Sequence, residues 1–570
     1  MWARLLNASA CRTTLCLGAV AWACTQSSEA RLEAETVGGL DDAATDAHVL
    51  YNWSATHRVQ VRELVTPEKL TEVEAAVRKH HALGRKLRPV GSALSPNGLA
   101  FEPEGMLSLA LCDQVLSVNT RRGTVRVQAG ARVSQVMEAL RPHGLVLQNF
   151  ASIAEQQIGG FIQAGAHGTG ACLPPVDEQV VDFLIVTPAR GTLHVDRNSP
   201  LFDMLRVGLG AFGVVSEVTL QCVPAHYLLE ETSVRKRHEI AAEHDQLLRK
   251  NRHVRYMWIP YTDDVVVVCS NPLEQLASAP SAPLLMPERD AHRLAPLREL
   301  LRKQCSDPAV IRDAGRMHFA ELRDQLIRLN PLDTDWIAQV NRAEAEFWRR
   351  SQGVRVDWSD RILGFECGGQ QWVSEVAFHA PIGARRDLQF MERLMRLIEE
   401  RRIPAPAPVE QRWTCSSTSS MSPARLDTAV SGNDGDGGGV FSWVGIIMYL
   451  PTEDAEVREQ ITQKFIEYKT ACAEPGGLWE QYDAHEHWAK IEVPRRNGQS
   501  VDVVEQQTER MRRRIRERYP VAEFQRLHAE LDPKHIMTNE LVEVLLLQDR
   551  ERPHVPGDEQ MAAVDVPVLQ

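Results

Sequence analysis

None of the 11 cysteines in this 570-residue chain falls in a Cys-x-x-Cys pair. That excludes the usual thiolate zinc, thioredoxin-type and c-haem spacings. A disulfide scaffold does not suit a chain of this length, so buried free thiols in a reducing or mixed compartment are the expectation. Basic charge is also short: the formal net charge is −12. Nucleic acid calls for a basic face and is therefore excluded as a partner. An acidic surface instead suits a basic protein partner, because opposite fields speed encounter. After the N-terminus no apolar run is long enough to span a bilayer, so any membrane association would be peripheral. No internal repeat occurs.

What is present is a globular composition, 44% hydrophobic and 25% charged, in a chain long enough for two or more lobes. Residues 1–35 open with arginines, small residues and the apolar stretch Leu15 to Cys24, and no acid precedes Glu29. They read as a targeting segment, set apart from the fold. Glycine is concentrated in three places. RPVGSALSPNG spans Arg88 to Gly98, LQNFASIAEQQIGGFIQAGAHGTG spans Leu147 to Gly170, and GLGAFGVVSEVTL spans Gly208 to Leu220. Glycine lets backbone approach a ligand closely and adopt positive φ. No Gly-Lys-Ser/Thr follows the second segment, so it is not a P-loop. The three turns are expected to converge on one large phosphate-bearing ligand.

Periodicity predicts a helix over Thr66 to Leu83 with Gly84 as its stop, a strand over Thr124 to Gly130 and a helix over Val133 to Leu140. VVDFLIVTPARGTLHV reads as a hairpin turning near Gly191. VRYMWIPYTDDVVVVCSN reads as two strands, Ala295 to Cys305 and Asp387 to Arg402 as helices, and FSWVGIIMYLPT as a buried strand. Ser278 to Asp290 and Ser431 to Gly439 read as surface loops, and Glu505 to Tyr519 as a charged helix. The fold class is α+β.

Taken in order, RPVGS…SPNG, NFASIxEQQIGG…GAHGTG and GLGxxGVVxEVTLQ resemble the sugar-lactone oxidoreductases of the vanillyl-alcohol-oxidase flavoprotein superfamily. IPAPAPVEQRW (Ile403 to Trp413), FSWVGIIMYLPT (Phe441 to Thr452) and HWAKIE (His487 to Glu492) extend the likeness over nearly the whole chain. The resemblance implies a two-domain FAD-binding fold with a cap. The FAD lobe would be 48–225, the cap 226–500, with 501–547 returning to the FAD lobe and 548–570 a mobile tail. It implies oxidation of L-galactono-1,4-lactone to L-ascorbate, with cytochrome c as acceptor, in mitochondria on the intermembrane-space side of the inner membrane. Two alternatives stand beside it: an O2-using aldonolactone or alditol oxidase of the same fold, and a non-catalytic assembly factor for a respiratory complex.

The resemblance also assigns residues. Val90, Gly91, Ser92, Leu94, Ser95, Asn97 and Gly98 would hold FAD in the first turn. Relatives with covalent flavin carry a His where this chain has Leu94, which implies non-covalent FAD. From the second and third segments come Ala151, Ser152, Gln157, Gly159, Gly160, Gly165, His167, Gly168, Thr169, Gly213 and Val215, with Asn539 near the C-terminus. His167 alone reads as a structural hydrogen-bonder rather than a base. Ala151 stands where oxidases tend to have Gly, and its methyl would act as an oxygen gate. Glu410 and Arg412 are spaced by one residue on an extended run and so project to one face. Without the resemblance they would read as a solvated pair; with it, Glu410 binds sugar hydroxyls and Arg412 stabilises developing negative charge. Lys490 would place a cation beside the flavin. Cys367, among glycines and polar residues, would be a redox-sensitive thiol. His485, Glu486 and His487 are too sparse to claim a metal.

Overall fold

The computed structural model describes residues 48–275, 290–364, 368–426, 439–494 and 500–548. Two β-rich bodies meet across one cavity. In the first, a mixed core surrounds a sheet ordered Gly191–Asp196, Val180–Thr187, Val214–Pro224, Thr124–Gln128 and Val115–Asn119, with Leu145–Leu147 also pairing with Val214–Pro224. A small parallel sheet, Leu64–Val65, Met106–Ser108 and Arg88–Val90, delivers the chain into the first glycine turn. The helix Leu70–Leu83 ends where Gly84 takes φ 64°, a left-handed stop that glycine adopts without a Cβ clash. Its apolar residues Val73 and Val77 recur at helical spacing and are buried.

The second body is an eight-stranded antiparallel sheet. Its order is Gly353–Trp358, Tyr227–Lys236, Asp264–Pro272, His253–Trp258, Val409–Cys415, Val440–Tyr449, Gln371–His379 and His485–Glu486. Helices Arg386–Glu400 and Ala455–Ala473 pack on it in one core. Helices Asp290–Gln304, Phe319–Leu329 and Thr334–Arg349 form another with Tyr449. This double cover explains why Val440–Tyr449 is nearly continuously apolar rather than alternating.

The C-terminal residues Ile515, Phe524, Leu531 and Leu546 are buried in the same core as Val125, Val127 and Val218. Three polar side chains tie the first glycine segment to later parts of the chain. Arg88 is buried and donates to the carbonyls of Leu99, Leu209 and Met537. Asn539 Nδ2 donates to the carbonyls of Gly98, Leu99 and Phe101, while its Oδ1 caps the turn at Val542. Asn97 Nδ2 donates to the carbonyls of Trp488 and Ile491. The first glycine turn is thus tied to two distant segments of chain.

The predicted elements are present with shifted ends. The first helix begins at Leu70 rather than Thr66, and the charged helix is Val501–Arg518. The hairpin pairs Val180–Thr187 with Gly191–Asp196, and Gly191 has φ 67° at its turn. The two loops expected at 278–290 and 431–439 lie almost wholly outside the described residues, as do the N-terminal segment and the tail from 549. Cys367 lies outside them too. Among the described residues no helix is long and apolar enough to cross a membrane.

Candidate active site

The site is built on strand alternation. In Val409–Cys415, Gln411 and Trp413 point to one face. Gln411 bonds Trp258 Nε1 at 2.9 Å and Ser442 Oγ at 3.0 Å, and Trp413 Nε1 donates to Asp387 at 2.8 Å. Glu410 and Arg412 therefore share the opposite face, which lines a cavity of about 540 Å³. Sheet register then sets their neighbours. Glu410 pairs with Met257 and Gly445, Gly445 pairs with Glu375, and Arg412 pairs with Arg255. Gly445 has no side chain to fill the row, and a Cβ there would stand 3.9 Å from Glu375 Oε1. The cavity floor is thereby open between Glu410 and Glu375.

Glu375 is the hub. It is 2% exposed, and Arg412 Nη2 donates to its Oε1 at 2.8 Å. Lys490 Nζ donates to its Oε2 at 2.5 Å, from the turn that follows the short strand His485–Glu486. Burial opposes ionisation of this carboxyl. Lys490 and Arg412, the two cations bonded to it, outweigh burial and hold it well below the usual carboxylate range. Arg412 Nε lies 3.4 Å from Glu410 Oε2, and Arg255 Nη1 lies 3.8 Å from Glu410 Oε1.

His167 stacks on Trp443 at 3.8 Å between ring centroids. Its Nδ1 lies 3.0 Å from the carbonyl of Gly168, which can only accept, so Nδ1 carries the proton. Burial lowers its pKa, leaving the ring neutral and Nε2 an acceptor. Nε2 stands 3.2 Å from Glu375 Oε2 but off the line of a hydrogen bond, and it is buried without a hydrogen-bond partner. His487 is likewise neutral, pushed well down by burial and then by Lys490. His167, Glu375 and His487 bring ligand atoms within 4.8 Å of one another. Two cations already bond the carboxylate, so the arrangement carries no argument for a metal.

The opposite wall comes from the glycine segments. Val90, Gly91, Ser92, Leu94, Ser95, Ala151, Ser152, Gln157, Gly159, Gly160, Gly213 and Val215 line it, as does Gln156, while His167 lines the cavity beside Glu375. Gly159 packs closely on its neighbour: a Cβ there would sit 3.2 Å from Ala129 Cβ and press it back by a few tenths of an ångström. Gly160, by contrast, has open space where its Cβ would be. Gln156 Oε1 and Gln157 Oε1 on this wall, and His167 Nε2 beside Glu375, are buried without hydrogen-bond partners. Buried polar atoms are normally satisfied. A large ligand rich in donors, entering over Gly160, fits them, and FAD is such a ligand.

Six expected cofactor residues lie elsewhere. Asn97 and Asn539 spend their amides on backbone carbonyls, and a Cβ on Gly98 would meet the His57 ring at 3.3 Å. Gly165, with φ 69°, packs by Val207 and Pro423. Gly168 abuts Asn149, and Thr169 donates to the Val254 carbonyl. These residues shape the wall from behind and do not line the cavity. The run Gly208-Leu-Gly210-Ala-Phe-Gly213 has the spacing of a dinucleotide fingerprint, but it follows the helix Phe202–Leu205 and precedes the strand Val214–Pro224. That is the reverse of the strand-to-helix order the fingerprint needs. Sequence reasoning missed Glu375, Arg255 and Gly445. The signal for Glu375 was a lone acid in the otherwise apolar stretch VSEVAF.

Replacing Glu375 by Gln keeps shape and removes the shared anion. Breaking a buried ion pair typically costs about 3–5 kcal/mol. Because the folded-state pKa is depressed, Glu375 contributes stability that is complete above the unfolded value of about 4.3 and is lost as pH falls below it. Melting curves should show Glu375→Gln well below wild type at pH 7, with the gap narrowing under about pH 4. A gap that is constant with pH would mean the carboxylate charge is not what matters.

Comparison with known proteins agrees with this geometry. Residues 61–196 match a family model described as an FAD binding domain, and residues 218–545 match one described as D-arabinono-1,4-lactone oxidase. The chain is 47% identical over 511 residues to L-galactono-1,4-lactone dehydrogenase 2, mitochondrial, of Oryza sativa subsp. japonica, covering 88% of this chain and 84% of the relative. The Arabidopsis thaliana L-galactono-1,4-lactone dehydrogenase, mitochondrial, is 47% identical over 88% of this chain and 81% of its own. L-gulonolactone oxidase of Bos taurus is 30% identical over 38% of this chain and 50% of the relative. Among solved structures, cholesterol oxidase from B. sterolicum superposes with a TM-score of 0.63 at 16% identity, covering 90% of this chain and all of that one, a likeness of fold alone. With that identity spread over most of both chains, this protein belongs to the L-galactono-1,4-lactone dehydrogenase family of FAD-binding oxidoreductases.

Proposed function

We propose that this protein oxidises L-galactono-1,4-lactone at C2, the step that yields L-ascorbate after enolisation, and passes the electrons to cytochrome c in mitochondria. The observation that carries the reading is the facing of two walls in one cavity. Glycine turns with orphaned acceptors stand on one side, and Glu410, Arg412, Glu375 and Lys490 on the other. FAD, when bound, supplies the two-electron, hydride-accepting ring. Glu410 accepts hydrogen bonds from the sugar hydroxyls, and the space above Gly445 admits the lactone ring beside it. Arg412 carries its charge and donor fork to the lactone oxygen on which negative charge grows. Lys490 keeps a second cation in the same wall. Glu375 touches both cations and fixes where they point, acting as a positioning residue.

The acceptor is tested by reducing the purified yellow protein with L-galactono-1,4-lactone without air, then re-oxidising it with cytochrome c or with O2. Fast re-oxidation by O2 and slow by cytochrome c would replace the dehydrogenase reading with an oxidase. A protein that no lactone reduces would favour the assembly-factor role. The acidic net charge supports a basic partner such as cytochrome c.

Flavin is held without a covalent bond in this proposal, because Leu94 lines the cavity where a tethering His would stand. Acid precipitation should leave the yellow colour in the supernatant, and a yellow pellet would point to another attachment residue.

Ala151 lines the same cavity and packs half-buried against the first core. If its methyl blocks dioxygen, Ala151→Gly should speed O2 re-oxidation by roughly tenfold or more, a barrier change of about 1.4 kcal/mol, and leave lactone reduction nearly unchanged. Equal O2 rates would remove the gate.

Arg412→Ala should slow flavin reduction by on the order of 10²–10³, the usual loss of about 2.7–4 kcal/mol for one preorganised donor. Arg412→Lys should recover only part, since an ammonium lacks the planar fork. Glu410→Gln should raise the lactone concentration for half-maximal reduction as well as slow it. Wild-type rate and affinity in all three, with FAD bound, would make the pair structural.

A further inference from the structure

The loop that follows strand Val409–Cys415 crosses from the second body to the first. The strand itself, which carries Glu410 and Arg412, already bonds the second glycine segment. Gly170 N donates to the Trp413 carbonyl at 2.6 Å, and Cys415 N donates to the Leu173 carbonyl at 2.9 Å. Beyond it the chain runs Ser416-Ser417-Thr418-Ser419-Ser420-Met421. Met421 is buried in the core of the first body. Its carbonyl accepts at 2.6 Å from Nε1 of Trp488, which stands two residues before Lys490. One loop therefore adjoins both elements whose cations share Glu375.

Acids and one arginine of the first body hold this loop. Asp177 is fully buried, and its Oδ2 accepts from Ser417 Oγ and from Ser419 Oγ, each at 2.5 Å. Glu178 Oε1 accepts from Thr418 N at 2.7 Å and from Thr418 Oγ1 at 2.8 Å. Arg206 is 1% exposed and donates to Thr418 Oγ1, to Asp203 Oδ1 at 2.9 Å and to the Asp177 carbonyl at 3.2 Å. Ser420 N closes the group on the Asp203 carbonyl at 2.8 Å. A buried carboxylate is costly unless donors meet it. Among the described residues only Ser417 and Ser419 donate to that of Asp177, and its Oδ1 is buried without a hydrogen-bond partner. Moving the loop would leave the whole carboxylate unmet, so its place is specified.

We propose that Asp177 is a positioning residue for lactone oxidation: through Ser417 and Ser419 it docks the end of the catalytic strand on the FAD-binding body, and so fixes how Glu410 and Arg412 face the glycine wall. The proposal rests on the lactone-oxidising reading above. Glu410 and Arg412 belong to one body and the glycine wall to the other, so register within a sheet does not set the gap between them. Contacts between the bodies do, and the Asp177 latch is one made of buried side chains. Asp177 does not line the cavity and acts only through the loop. Hydride transfer is sensitive to placement, and an error of about 1 Å costs on the order of 10² in rate. Sugar binding at Glu410 draws on the second body and responds less.

The test uses the flavin-loaded full chain. Asp177→Ala removes the acceptor, and Ser417→Ala with Ser419→Ala removes both donors. Anaerobic stopped-flow reduction by L-galactono-1,4-lactone separates limiting rate from half-saturation. Each change should lower the limiting rate ~10-fold or more and move half-saturation by less than about threefold. Combining them should cost no more than Asp177→Ala alone, because both remove one contact. Asp177→Asn keeps an acceptor oxygen and should recover part of the rate. Amide hydrogen exchange over residues 416–425 should be faster in the Ala variants than in wild type. A purely stabilising latch would lower the melting temperature while the flavin-loaded variants kept the wild-type limiting rate, and that result overturns the proposal. Additive losses, or unchanged exchange, overturn it as well. Should Asp177→Ala hold no flavin, Ser419→Ala decides: it leaves one bond to Asp177 and should slow reduction about threefold or more, and a wild-type rate there overturns the latch. Wild type that the lactone does not reduce sinks the parent reading and this one with it.

Discussion

A single buried carboxylate, Glu375, sets the geometry of the catalytic wall. Arg412 and Lys490 come from a strand and a turn far apart in sequence, and each bonds a different oxygen of this one group. Two cations brought together in a dry cavity repel each other and are costly to desolvate. An anion between them offsets both effects and fixes both side chains in position. The depressed pKa of Glu375 expresses the same coupling: the surrounding charges overcome the burial that would otherwise keep it neutral. Arg412 in turn lies beside Glu410, so an error at Glu375 would propagate through the row that faces substrate.

The second constraint is the assembly of the opposite wall. The first glycine turn contacts the HWAKI turn through Asn97 and the C-terminal segment through Asn539, while Arg88 ties together Leu99, Leu209 and Met537. Asn97 and Asn539 do not line the cavity, yet with Arg88 they determine whether Gly91 and Lys490 stand across from each other. Residues matched to flavin contacts on sequence likeness thus divide into two kinds. Some, such as Gln157 and Gly160, present atoms or space to the cavity. Others, such as Asn97, Gly168 and Asn539, hold the backbone that does so. Both kinds can be indispensable, and only packing separates them.

The cavity is also longer than the catalytic row needs. Its far end, with Arg323, Glu344 and Gln371, gives the sheet a polar row at each end of an apolar middle. The helices that bury Leu322 and Ile337 also deliver Arg323 and Glu344 to the cavity.

The sequence alone determined what is local. Periodicity marked the helix ending at Gly84, the hairpin at Gly191 and the buried strand Val440–Tyr449, since these depend on spacing and on glycine's freedom at positive φ. One-residue spacing placed Glu410 and Arg412 on a common face. Tertiary structure decided what depends on register between distant strands. It set Glu375 beside Gly445, turned Asn97 and Asn539 away from the cavity, and left His167 Nε2 an orphaned acceptor. It also showed that the spacing Gly208 to Gly213 sits between a helix and a strand in the wrong order for a dinucleotide turn. A strand's own residues fix which side chains alternate. They do not fix which strand lies next to it, and neighbours across the sheet are what make a buried glutamate the centre of a site.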